Sequence, residues 1–279
     1  FYKLAVDDAY PFYNIFGGTQ DNNTQGGPSR TLRRDGISNA DWFVLLGGDG
    51  HQPATEPNNP NIVYAQSQEG YLNRIDRSSG EVVSIRPQEG IDEPYERFNW
   101  DSPIVVSHHN PKTIYFGSQR VWKSNNRGDS WTPISKDLTK DEERFSLPIM
   151  GRIQSIDNAW DVYAMSTYNT ITSISESKLD SNIIYIGTDD GIIQSTKDGG
   201  LQWDKMTVDQ LPKTPASAFV NDIKTDLFDS KKTYICLDNH KFGDYQPYLF
   251  KTTDGGKTWK KITNGIPKNT LVWLIVQDH

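Results

Sequence analysis

Cysteine is almost absent from this chain: Cys236 is the only one in 279 residues. One thiol forms neither an internal disulfide nor a cysteine-based metal site. In its apolar run it reads as a small buried hydrophobe. Long apolar stretches are also missing, so no membrane-spanning helix is expected. Histidines number five. His108 and His109 are adjacent and would point to opposite faces of a strand, while His51 and His240 are isolated. No zincin, phosphate-loop or dinucleotide signature occurs, so no metal and no cofactor are expected. The formal net charge of −7 speaks against a nucleic-acid partner. No secretory leader is visible. Apolar residues make up only 35%, yet aromatics reach 11% with eight Trp and thirteen Tyr. Many of the 22 Gly and 15 Pro fall at apparent turns.

What is present repeats. Thr252-Thr253-Asp254-Gly255-Gly256-Lys257-Thr258-Trp259 has relatives at Thr196-Lys197-Asp198-Gly199-Gly200-Leu201-Gln202-Trp203 and Ser124-Asn125-Asn126-Arg127-Gly128-Asp129-Ser130-Trp131. The shared pattern is a hydroxyl (Ser124, Thr196, Thr252), Asp or Asn (Asn126, Asp198, Asp254), Gly (Gly128, Gly200, Gly256) and Trp (Trp131, Trp203, Trp259). This is the Asp-box pattern, and its chemistry suits a hairpin. The carboxylate or amide accepts backbone N–H groups across the turn, with help from the hydroxyl. The glycine takes a positive φ. The indole opens the next strand and buries its ring under the hairpin. These residues are read as structural staples.

A second repeat interlocks with the first. A polar turn leads into a β-branched and aromatic strand at Tyr64, Tyr115, Tyr185 and Tyr234. Their spacing, roughly 50 to 70 residues, suits one four-stranded propeller blade with variable loops. The fold expected is all-β, a β-propeller of four-stranded antiparallel blades, with residues 1–279 forming one partial propeller domain. The drafted blades are a weak first with strands near 1–6 and 12–19, then 42–86, 104–134, 170–206 and 218–262. Residues 136–168 form a long connection, and 271–276 look like the first strand of a sixth blade. The second blade lacks the box and has ordinary turn chemistry at Arg77-Ser78-Ser79-Gly80-Glu81. A chain stopping one strand into a blade leaves an open edge, so the expectation is an incomplete ring, completed by more of a longer protein or by another segment.

The boxes resemble those of the BNR-repeat propellers, which include sialidases, xyloglucanase-type glycoside hydrolases and the sortilin-type receptor ectodomain. A closer resemblance runs through Phe12-Tyr13-Asn14-Ile15-Phe16-Gly17-Gly18-Thr19-Gln20-Asp21-Asn22 and Gly27-Pro28-Ser29-Arg30. It continues at Asn39-Ala40-Asp41-Trp42, Gly47-Gly48-Asp49-Gly50 and Tyr248-Leu249-Phe250-Lys251-Thr252-Thr253-Asp254. These stretches look like large secreted bacterial proteins of the "glycosyl hydrolase, BNR repeat" or "sortilin-like" kind. The resemblance implies a tandem-propeller parent that is secreted, periplasmic or at the cell surface. It implies a carbohydrate ligand or substrate; the alternative is a non-catalytic propeller that captures peptides or proteins.

Glycosidic hydrolysis normally needs two carboxyl groups facing one cleft. Asp21 in Gly-Thr-Gln-Asp-Asn and Asp49 in Gly-Gly-Asp-Gly-His follow apolar strands, break the blade repeat, and are the catalytic candidates. Asp189 and Asp190 lie where a hairpin is expected and read as turn caps. Arg97, Trp100 and His51 are the substrate-binding candidates, since an indole covers an apolar sugar face and Arg bonds hydroxyls. The arginines Arg30, Arg97, Arg120 and Arg152 are scattered and no sialidase-like Arg-Ile-Pro signature occurs, which ranks sialidase low. The expected site is a shared polar depression formed by Asp21, Asp49 and Arg97, with Trp100 at its wall.

Overall fold

The structure, a computed structural model, describes residues 1–149, 151–164 and 167–278. Five sheets, each of four antiparallel strands in chain order, carry the fold. The first holds β1 (Leu4–Val6), β2 (Asn14–Gly18), β3 (Thr24–Pro28) and β4 (Phe43–Leu46). The second holds β5 (Ala54–Glu56), β6 (Asn59–Ser67), β7 (Tyr71–Asp76) and β8 (Glu81–Ser84). The third holds β9 (Ile104–Val106), β10 (Ile114–Gly117), β11 (Val121–Ser124) and β12 (Thr132–Pro133). A small ribbon of β13 (Pro148–Ile149) and β14 (Arg152–Ile153) and a short helix α1 (Ala159–Ala164) interrupt the connection that follows. The fourth sheet holds β15 (Ile171–Glu176), β16 (Ile184–Thr188), β17 (Ile192–Thr196) and β18 (Asp204–Thr207). The fifth holds β19 (Phe219–Thr225), β20 (Thr233–Asn239), β21 (Asp244–Thr252) and β22 (Lys260–Lys261).

The chain packs as two compact units, residues 1–116 with 122–132, and residues 117–121 with 133–279. In the first unit, Phe16, Leu45, Val63, Ala65 and Ile75 form one apolar cluster. Ile62, Tyr64, Leu72, Phe98, Ile104, Phe116 and Trp122 belong to another. In the second unit Tyr185, Ile193, Val220, Ile223, Ile235, Leu237 and Phe250 lie in the core. The four repeat tyrosines fall on the second strand of four different sheets. Tyr64, Tyr115 and Tyr185 are buried, whereas the half-buried Tyr234 donates its hydroxyl to Asp226 at 3.0 Å. Cys236 is buried on β20, where desolvation pushes its thiol pKa up.

The three repeat hairpins join third and fourth strands, and their bonding is nearly the same each time. Ser124 Oγ accepts the N–H of Asn126 (3.3 Å) and Gly128 (2.8 Å), and Asn126 Oδ1 accepts that of Ser130 (3.0 Å). Thr196 and Asp198 repeat this toward Gly200 (3.0 Å) and Gln202 (3.0 Å). Thr252 and Asp254 repeat it toward Gly256 (3.1 Å) and Thr258 (2.9 Å). The glycines have φ of 90°, 106° and 87°. The residue before each is also left-handed: Arg127 at 60°, Gly199 at 74° and Gly255 at 72°. Arg127 occupies a conformation that favours glycine because its guanidinium grips the buried Glu56 through Nε (2.7 Å) and Nη2 (2.6 Å).

The indoles do more than cap their own hairpins. Trp131 Nε1 donates to the Ile85 carbonyl at 2.7 Å, just past β8. Trp203 Nε1 donates to the Ile134 carbonyl at 3.2 Å, just past β12. Trp131 thus reaches the preceding sheet, and Trp203 the residue that follows β12. A Cβ at Gly128 would stand 2.5 Å from Ile85 Cδ1, and one at Gly200 would stand 2.7 Å from Ile134 O. Glycine is therefore needed for close approach as well as for φ.

Two sequence expectations are corrected. The run beginning at Trp42 does not open the second blade; Phe43–Leu46 closes the first sheet, with Phe43 opposite Gly26 and Val44 opposite Gln25. Aromatic rings cover glycines there: a Cβ at Gly26 would meet Phe43 at 2.7 Å, and one at Gly27 would meet Trp42 at 2.6 Å. Residues 271–276, expected as a strand, carry no ladder. The segment lies along β19 through side chains instead. Asn221 Nδ2 donates to Val272 O (3.3 Å), and Asp222 Oδ2 accepts the Ile275 N–H (3.1 Å).

Candidate functional site

Asp21 and Asp49 meet at one end of the first sheet. Asp21 sits in the β2–β3 turn with φ 62°, and Thr19 closes that turn on the Asn23 carbonyl through its N–H (3.0 Å) and Oγ1 (2.8 Å). Asp49 leaves β4 through Gly47 and Gly48, the latter at φ 91°. Asp49 Oδ1 accepts the Asp21 N–H at 2.8 Å, and its own N–H donates to Gln68 Oε1 at 3.1 Å. The loops pack backbone on backbone. A Cβ at Gly18 would lie 2.0 Å from His51 O, and one at Gly50 would lie 2.5 Å from Asn23 O.

His51 is fully buried beneath these loops, and neither ring nitrogen has a hydrogen-bond partner among the described residues. Its ring lies 4.6 Å from that of Tyr2 and 5.9 Å from that of Trp100, the latter edge-on at 81°. Burial lowers its pKa, with Asp101 and Asp49 pulling the other way, so the imidazole is neutral at pH 7. The Tyr2 hydroxyl donates to Gln20 Oε1. Desolvation raises the Tyr2 pKa, so the hydroxyl keeps its proton. Asp101 accepts the Gln52 N–H (3.1 Å) and pairs with Lys3 Nζ (3.3 Å), which also donates to Gln52 Oε1 (3.1 Å).

Of the residues singled out in the sequence, Asp21, Asp49, His51 and Trp100 thus fall in one cluster. Arg97 is half-buried three positions before Trp100. Tyr2, Lys3, Gln20, Gln52, Gln68 and Asp101 escaped the sequence reading. Each is an ordinary polar or aromatic residue that lies just outside a strand and carries no motif. The arrangement brings two aromatic rings, carboxylates, amides and an ammonium together at one end of the first sheet. That donor and acceptor mix suits a polyhydroxylated ligand.

Asp189 and Asp190 are in the second unit, on the β16–β17 turn, and both are buried. Thr170 donates to Asp189 through N–H (2.8 Å) and Oγ1 (2.6 Å). Desolvation outweighs these bonds and raises the Asp189 pKa to about 7. Asp190 accepts the Lys140 N–H at 2.6 Å. These carboxylates hold the connection between the third and fourth sheets to the hairpin. Among the described residues no cluster of three or more His, Cys, Asp or Glu has metal-holding geometry.

No family model and no curated protein matches this chain. Solved structures do. An ancestral GH74 enzyme matches at TM-score 0.62 and 13% identity over 96% of this chain and 32% of its own. The GH74 enzyme of Niastella koreensis matches at TM-score 0.54 and 13% identity, over 88% and 36%. The computationally designed Ika8 protein matches at TM-score 0.51 and 13% identity, over 99% and 65%. The chain spans about a third of the length of those two GH74 enzymes. Together with the five four-stranded sheets, these likenesses show the fold: the chain is a β-propeller structure, and its sheets are blades.

Proposed function

We propose that this chain is a carbohydrate-binding propeller segment of a secreted or cell-surface protein of the BNR-repeat, glycoside hydrolase kind. The observation that carries the reading is the pair of rings, Tyr2 and Trp100, packed on either side of His51 in the cluster that holds Asp21 and Asp49. Indole and phenol ring faces suit the C–H face of a pyranose, and carboxylates and amides suit its hydroxyls. Three motif hairpins support the BNR reading, and the fold likeness to GH74 enzymes supports a sugar ligand. No helix of the described residues is long and apolar enough to cross a membrane.

Binding fits this geometry better than hydrolysis. One oxygen of Asp49 is occupied by the Asp21 amide, and Asp101 is tied to Lys3 and Gln52. A proton-donating carboxyl is normally required opposite a base or nucleophile. The test is calorimetric titration with soluble β-glucans, β-mannans and xylans. Trp100→Ala should weaken the best ligand at least tenfold, about 1.4 kcal/mol or more, while leaving the melting temperature within a few degrees. A folded wild type that binds no glycan, or a Trp100→Ala chain that binds as well as wild type, refutes the reading. Capture of peptides with no glycan binding would favour the receptor-like alternative. Turnover of a polysaccharide that is lost in Asp49→Asn, with binding kept, would add hydrolysis.

A further inference from the structure

The third repeat hairpin breaks the pattern of the first two. Ile134 stands three residues after Trp131 and receives the indole of Trp203. By the same spacing Met206, three after Trp203, is the acceptor position for Trp259. The Trp259 indole instead turns back on its own hairpin and donates to Gly256 O at 3.1 Å. Beside it lies a cavity of about 220 Å³, walled by Tyr185, Met206 and Trp259 and rimmed by Lys197, Lys205 and Lys257. Asp204 also lines it, in a loose 3.5 Å pair with Lys197. The corresponding groove beside Trp203 has one lysine and no acidic residue, and its indole is fixed on Ile134.

We propose that this cavity is a binding site for a carboxylate-bearing pyranose, a uronic acid residue of an acidic polysaccharide. The volume is below the roughly 300 Å³ of pockets that take drug-sized ligands, which limits the occupant to about a single ring. The indole, phenol and thioether walls suit the C–H face of such a ring. Three ammonium groups against one carboxylate, on a chain of net charge −7, set a local positive field for a monoanion. Asp204 accepts ring hydroxyls and disfavours a phosphate dianion. Lysines act here as point charges, without the planar fork with which arginine grips phosphate. This site lies at the hairpin end of the fourth and fifth sheets and does not depend on the surface proposed for the first unit.

The test follows the indole N–H resonance of Trp259, assigned by its loss in Trp259→Phe, during titration with tri-galacturonate. The resonance should shift saturably as the ligand displaces the Gly256 bond. Lys205→Gln with Lys257→Gln, both exposed positions, should weaken binding at least tenfold with an unchanged melting temperature. Raising salt from about 0.05 to about 0.5 M should weaken it further. Trp100→Ala should leave the titration unchanged, so the two surfaces fail or succeed separately. The proposal is overturned if neutral cellotriose or sodium sulfate shifts the resonance equally. It is also overturned if an acidic peptide binds as tightly, or if the lysine variant binds like wild type.

Discussion

Replacing Gly128 by alanine tests whether the repeat hairpins act as wedges between sheets or only as turns. The backbone there has φ 90°, so a Cβ costs about 1 to 2 kcal/mol in strain alone. The same Cβ would stand 2.5 Å from Ile85 Cδ1 and 2.8 Å from Ile85 Cβ. Relief requires the hairpin to back away from the second sheet, an overpacking cost of about 1 to 3 kcal/mol. Backing away also stretches the 2.7 Å bond from Trp131 to Ile85 O. Gly128→Ala should therefore lose about 2 to 5 kcal/mol. Gly80, in the boxless hairpin of the second sheet, supplies the control: its φ is 78° and a Cβ there meets nothing within 4 Å. Gly80→Ala should show the strain alone, about 1 to 2 kcal/mol. Urea unfolding followed by tryptophan fluorescence gives both numbers, and their difference is the wedge. Equal losses in the two variants would refute the reasoning and leave the hairpin a turn and nothing more.

Arg127→Ala should destabilise by about 3 kcal/mol by stranding the buried Glu56 carboxylate. Arg127→Gly should lose about 1 kcal/mol less because it also relieves the left-handed φ, and urea midpoints separate the two. Asp189 makes stability depend on pH. Its folded pKa of about 7 lies above the roughly 3.9 of an unfolded Asp, so the folded state holds a proton that the unfolded state has released. The Asp189 contribution should be fully present below about pH 4, fall as pH rises to about 7, and level off above that, by a few kcal/mol at most. Asp189→Asn should flatten this window, which urea midpoints at pH 5 and pH 8 would reveal.

The blades could be read from the sequence because their signals are local. A hydroxyl, a carboxylate, a glycine and an indole within eight residues build a turn from bonds inside those eight residues. The misplaced boundary at Trp42 shows where locality fails. Strand β3 is Thr-Gln-Gly-Gly-Pro, which lacks the β-branched and aromatic signature of a strand. It pairs because Phe43 and Trp42 fill the space its glycines leave empty. Residues 271–276 have a strand's sequence, but a ladder also needs a neighbour, and side chains of β19 are what meet them. In the candidate site, Asp21 and Asp49 stood out because they interrupt the repeat. Tyr2 and Asp101 did not, because their nearness to His51 is set by pairing across separate sheets rather than by any motif.

The Trp131 and Trp203 bonds both run backward along the chain, to acceptors 46 and 69 residues earlier. During synthesis the acceptor has therefore always emerged before its donor. At about 5 to 20 residues per second, the wait for Trp131 is roughly 2 to 9 seconds, ample for the second sheet's hairpins to form. Each tryptophan then arrives at a surface already assembled. The Trp131 hairpin can then latch onto a second sheet that has already formed.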